Sequence, residues 1–121
     1  MIVPKRNPDV VWRLEKKTHE TAWEEARKGG EYEDLGVLTL MVKGGIHQLN
    51  LVGAEIWSRI DGTSAVEKIA GEVGALFGWE GEETEEAVLD FLQGIAEQGW
   101  VTLEESAGRE AAPMWKGTRK R

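Results

Sequence analysis

Residues 36–50 constrain this chain more than any other stretch. Gly36 to Lys43 is apolar at nearly every position, Gly44-Gly45 follows, and Ile46-His47-Gln48-Leu49-Asn50 comes back more polar. A short apolar run bounded by glycines reads as a strand covered on both faces. Gly44-Gly45 tolerates positive φ at both positions, which predicts a tight two-residue hairpin. The returning segment is then a candidate edge strand, because its polarity suits a strand with one side open. Upstream, Val10-Val11-Trp12-Arg13-Leu14 is β-branched and aromatic, with Val10, Trp12 and Leu14 on one face, and predicts one more strand.

Three helices are expected after the hairpin. The first runs from about Leu51 to Ile60, with Gly53, Ile56, Trp57 and Ile60 on one stripe, and Asp61-Gly62 ends it. Ser64 and Glu67 have capping-box spacing before a second helix with Val66, Ile69, Ala70, Val73, Leu76 and Phe77 on its apolar side. Gly71 and Gly74 weaken that helix by roughly 1 kcal/mol each relative to Ala, and are either tolerated or needed for close approach. Thr84 is the expected cap of a third helix, whose residues Val88, Phe91, Leu92 and Ile95 face the core. Gly99 stops it, and Trp100-Val101-Thr102-Leu103 is a closing strand or wing. The fold class is therefore α+β: a winged helix-turn-helix with a small N-terminal antiparallel β-sheet followed by three helices. Residues 1–9 read as an extended arm, 10–103 as the domain, with a polar insertion at 16–35 holding a helical turn or two at Thr21–Lys28. Residues 104–121 read as a flexible tail.

Charge and composition exclude several functions. The 121 residues carry Asp+Glu 22 against Lys+Arg 15, a net charge of −7. From Ile69 to Gly108 there are ten carboxylates and no Lys or Arg. A DNA-reading helix brings cations to phosphates, so this acidic stretch argues against the nucleic-acid binding that the helix order invites. No segment approaches the roughly 20 apolar residues of a spanning helix, and the N-terminus lacks a signal-peptide core, so a soluble cytoplasmic protein without membrane contact is expected. Cysteine is absent, and His19 and His47 are the only imidazoles. No metal site, no cofactor site and no catalytic residue is expected from that stock. The pairs Glu82/Glu83 and Glu85/Glu86 fit a solvated acidic face better than an acid/base couple.

Peptide binding fits better. The third helix carries an apolar arc from Ala87, Phe91 and Gly94 through Val88, Leu92 and Ile95 to Leu89, Ala96 and Trp100. That is wider than one packing contact requires, so either the sheet and the other helices cover all of it, or part lines a groove. Beside an edge strand, such a groove accepts an extended peptide. The exposed edge also allows a strand-exchanged homodimer.

The run from Gln48 to Gly62, with Leu49-Asn50, Ile56-Trp57 and Ile60-Asp61-Gly62, resembles a segment of PqqD-like proteins. Val66-Glu67-Lys68-Ile69 resembles the helix start that follows it. Val88-Leu89-Asp90-Phe91-Leu92, Ile95 and Gly99-Trp100-Val101 resemble the family's end. The likeness covers roughly 36–103. It implies a non-enzymatic peptide recognition element that binds the leader of a ribosomally made precursor peptide. The element then presents the leader to a modifying enzyme, commonly of the radical S-adenosylmethionine (radical SAM/SPASM) type. It further implies that the leader adds as a strand at Ile46, His47, Gln48 and Leu49, and packs on the helix at Phe91, Gly94, Ile95 and Gln98. The rival readings are a DNA-binding winged-helix regulator and an adaptor that only assembles enzyme subunits.

Overall fold

The computed structural model describes residues 1–105. The part of the expected tail from 106 to 121 lies outside the described residues. The chain is α+β, with two small antiparallel sheets and four helices among the described residues. It forms two compact units, one of Asn7–Arg59 and one of Met1–Arg6 together with the chain from Ile60 on.

The first unit holds a three-stranded sheet in the order β2 (Val11–Leu14), β3 (Leu38–Val42), β4 (Gly45–Leu49). Its register pairs Val11, Trp12, Arg13 and Leu14 with Met41, Leu40, Thr39 and Leu38, and pairs Leu38 through Val42 with Leu49 back to Gly45. Directly opposed residues share a face. One face therefore carries Leu14, Leu38 and Leu49, then Trp12, Leu40 and His47. Leu38, Leu40 and Leu49 are buried, which makes this the core face. Helix α2 (Leu51–Ser58) serves the same core, with Trp57 buried and in edge-to-face contact with Trp12 at 6.3 Å. Its first turn is capped by Asn50, whose Oδ1 accepts from Gly53 N at 3.0 Å. Val37, buried beside β3, donates to Leu49 O at 2.9 Å and accepts from Glu15 N at 2.7 Å, so it ties both neighbouring strands to the start of β3.

The insertion holds more order than its polarity announces. Helix α1 spans Lys16–Arg27, three turns rather than one or two. Ala22 alone is buried on it, so the periodic signal is faint and anchoring comes from polar contacts described below. The hairpin loop also differs from the expected one. It is Lys43-Gly44, closed by the pair Val42↔Gly45, and Gly44 takes φ +102 while Gly45 joins the ladder.

The second unit pairs β1 (Ile2–Arg6) antiparallel with β5 (Val101–Glu105). Residues 2–6 read as an unpaired arm in the sequence, because a partner about a hundred residues away leaves no local mark. Arg6 Nε donates to Ile60 O at 2.6 Å, which secures the end of β1. Burial lowers the Arg6 guanidinium pKa, partly offset by Asp61.

Asp61 organises the entry to helix α3 (Val66–Phe77). Its Oδ1 accepts from the backbone N–H of Thr63 at 2.9 Å and Ser64 at 2.8 Å, and Oδ2 accepts from Ser64 Oγ at 3.1 Å. These bonds, led by the two backbone ones, hold its carboxyl far below the usual carboxylate range. Ser64 is thus spent on the turn and does not cap; Ala65 is the N-cap and makes no side-chain bond. Leu76, expected in the core, is exposed, because α3 buries Val66, Ile69, Ala70, Val73 and Gly74 instead. Helix α4 (Glu82–Glu97) begins before Thr84, with Gly81 as its N-cap, and Thr84 is buried inside the first turn. Gly99, at φ +84, ends α4: its N–H bonds to Ala96 O and the Trp100 N–H to Ile95 O, both at 3.0 Å, the double closure of a Schellman motif.

The two α3 glycines separate cleanly. A Cβ on Gly74 would lie 2.7 Å from the Trp79 carbonyl oxygen, whereas one on Gly71 would meet nothing within 4 Å. Gly74→Ala should therefore cost about 1–3 kcal/mol through forced displacement of backbone. Gly71→Ala should gain about 0.5–1 kcal/mol by helix propensity. Urea unfolding of the two variants checks both signs.

Candidate peptide-binding edge

Strand β4 is a terminal strand of its sheet, with β3 on one side. The two-residue loop makes Val42↔Gly45 a hydrogen-bonded pair. Alternation along the register then makes Leu40↔His47 and Leu38↔Leu49 hydrogen-bonded pairs too. The N–H and C=O groups of Ile46 and Gln48 point away from β3. Had the loop been Gly44-Gly45, Ile46 would have closed the hairpin, and His47 and Leu49 would have carried the outward groups. The one-residue difference in the turn thus changes which residues offer the edge.

The four strand residues differ in exposure. Ile46, His47 and Gln48 are exposed, while Leu49 is buried on the core face. The Gln48 side chain lies over Gly36, in space that any Cβ there would occupy, and its Nε2 donates to Thr39 Oγ1 at 3.3 Å. A side chain at Gly36 would thus displace the end of Gln48.

Of the four helix residues expected at the site, Phe91, Gly94 and Ile95 lie on α4 and Gln98 is its C-cap, all in the other compact unit. Phe91 is half-buried, Gly94 and Gln98 are exposed, and Ile95 is buried. A Cβ at Gly94 would meet nothing within 4 Å, so its surroundings do not demand glycine. Around the start of α4, clefts beside the exposed Trp79 are lined by Glu67, Glu80, Glu82, Glu83 and Glu85. The acidic stretch seen in the sequence is therefore a real surface. Phe77 stacks on Trp79 at 4.9 Å.

A polar cluster between α1 and α2 leaves no mark in the sequence. Glu55 on α2 accepts from Arg59 Nη1 at 2.8 Å, and its Oε2 is 3.1 Å from His19 Nε2 and 3.2 Å from Trp23 Nε1. Burial raises its pKa, but the bonds from Arg59, His19 and Trp23 outweigh that and hold it below the usual carboxylate range. The cluster fixes α1 to α2, the helix that directly follows β4. His19 and Glu55 are 36 residues apart, so no local spacing could have joined them. Among the described residues, no group of three His, Asp or Glu is placed to hold a metal ion, and no helix is long and apolar enough to cross a membrane.

A family model described as Coenzyme PQQ synthesis protein D (PqqD) matches residues 33–101. That is more than half of the chain, and the chain belongs to this family. The matched span takes in β3, β4, α2, α3 and α4 and leaves out β1, β2 and α1. Comparisons with curated proteins and with solved structures find no match.

Two outcomes are expected. In amide hydrogen exchange, the His47 and Leu49 amides should be protected and those of Ile46 and Gln48 should exchange fast. The Glu55 carboxyl, depressed in the folded state, stabilises above its unfolded value of roughly 4.3, and that stability is lost as pH falls through the lower folded value. Glu55→Gln should therefore differ from the parent protein most at neutral pH, and the two thermal-unfolding curves should converge as the pH falls through the folded-state value.

Proposed function

We propose that the chain is a non-catalytic peptide chaperone in the maturation of a ribosomally synthesised precursor. It binds the precursor's leader by strand addition at β4 and presents it to a radical SAM/SPASM enzyme. One observation carries the reading: a PqqD family member has a terminal strand whose Ile46 and Gln48 backbone groups face away from their own sheet. An extended peptide satisfies such groups with its own backbone, which gives affinity with little demand on sequence. In this reading Ile46, His47, Gln48 and Leu49 form the docking strand, and Phe91, Gly94 and Ile95 of α4, with Gln98 at its end, contribute side-chain selectivity. Residues 10–103 are the binding domain. The insertion at 16–35 or the tail from 104 is a contact for the enzyme, and the work is done in the cytoplasm.

The acidic surface gives the partner a sign. Asp90 and Glu97 are exposed on α4 in a stretch without Lys or Arg, so the leader or the enzyme surface that meets it carries Lys or Arg.

The test is titration of isotope-labelled full-length chain with synthetic leaders from precursor genes neighbouring its own, and with the neighbouring maturase. Leader binding should shift the amides of residues 46–49. Silence of those amides toward leader and enzyme alike sinks the proposal, and binding to the enzyme but never to a precursor favours a plain adaptor. Replacing Asp90 and Glu97 by Asn and Gln should weaken association several-fold at low salt and little at high salt.

A further inference from the structure

The sheet of the first unit has an outer face that its core does not explain. On it the register aligns Val11, Met41 and Ile46 in one cross-strand row. Their relative exposures are 59%, 41% and 71%. The next row on the same face is Arg13, Thr39 and Gln48. It is polar and internally bonded: Gln48 donates to Thr39, Thr39 Oγ1 donates to Glu15 Oε2 at 2.6 Å, and Arg13 Nη2 donates to Glu15 Oε2 at 3.0 Å. The outer face thus sets one apolar row beside one polar row, and the apolar row ends on the terminal strand at its most exposed member.

That arrangement selects among occupants. Packing of a second sheet needs apolar side chains over most of a face, and here they form a stripe one row wide. A strand added at β4 fits the stripe. In either direction, its residue paired with Ile46 points to the outer face, and the residue two positions along stands beside Gln48. Such cross-strand neighbours are the unit of sheet stabilisation.

We infer that this outer face reads the sequence of the incoming peptide. The residue that pairs with Ile46 is apolar, β-branched or aromatic, and extends the row Val11, Met41, Ile46 by a fourth member. The residue beside Gln48 is polar. The inference rests on the strand-addition reading above and adds a determinant on the face turned away from the sheet's core.

The probe is a displayed library of random 12-residue peptides selected on the full-length chain. Peptides are kept when they shift the amides of residues 46–49. Their consensus should contain an apolar position two residues from a polar one. Against Ile46→Lys, the same peptides should lose about five- to tenfold in affinity. Changing the apolar position alone to Glu should recover it, while Ile46→Val should bind as the parent does. If the peptides bind Ile46→Lys unchanged, the outer-face determinant is wrong and strand addition stands. If no library peptide moves those amides, both readings fall. A concentration-dependent dimer of the free chain that Ile46→Lys abolishes would assign the row to a second copy and overturn the inference.

Discussion

The register of one hairpin governs the useful surface of this protein. Gly44 takes a positive φ that other residues rarely adopt, so the chain reverses over Lys43-Gly44 and Val42 meets Gly45. Side chains alternate along a strand, so that single closure assigns every residue of β4 to the core face or the outer face. Ladder hydrogen bonds alternate too, and the same closure turns the backbone of Ile46 and Gln48 outward. A peptide edge and an apolar row on the outer face both descend from that turn.

The residues that carry the family resemblance act on the backbone. Asn50 caps α2 through Gly53 N. Asp61 binds two backbone N–H groups, and Gly62 at φ +84 allows the chain to turn toward α3. Gly99 closes α4. Asn50 thus starts α2, Asp61 and Gly62 shape the turn between α2 and α3, and Gly99 stops α4. The groups that would meet a peptide are mostly backbone groups of β4, which any sequence able to form the strand supplies. A motif search therefore detects the scaffold more readily than the specificity.

Charge follows a different logic. The carboxylates around the start of α4 and the exposed Trp79 form one surface in the second unit. The Glu55 cluster in the first unit is half-buried and bonded from three sides. The first kind of charge acts at a distance and is screened by salt. The second holds α1 against α2 and depends on geometry more than on ionic strength.

The sequence by itself determined the local facts: three core strands, three amphipathic helices, the glycine stop of α4, the acidic stretch without cations, and a family resemblance over the region that the family model also matches. These are set by periods of two and 3.6 and by residues with special φ, which are readable within a short window. Only the tertiary structure decided the rest. The pairing of β1 with β5, the length of α1, the Glu55 cluster and the exposure of Leu76 each depend on partners distant in the chain. The turn at Lys43-Gly44 was decided there as well. Gly44 and Gly45 both accept the strained position, and either loop leaves Leu38, Leu40 and Leu49 on one face, so only the cross-strand pairing itself, Leu38 with Leu49 and Leu40 with His47, distinguishes them.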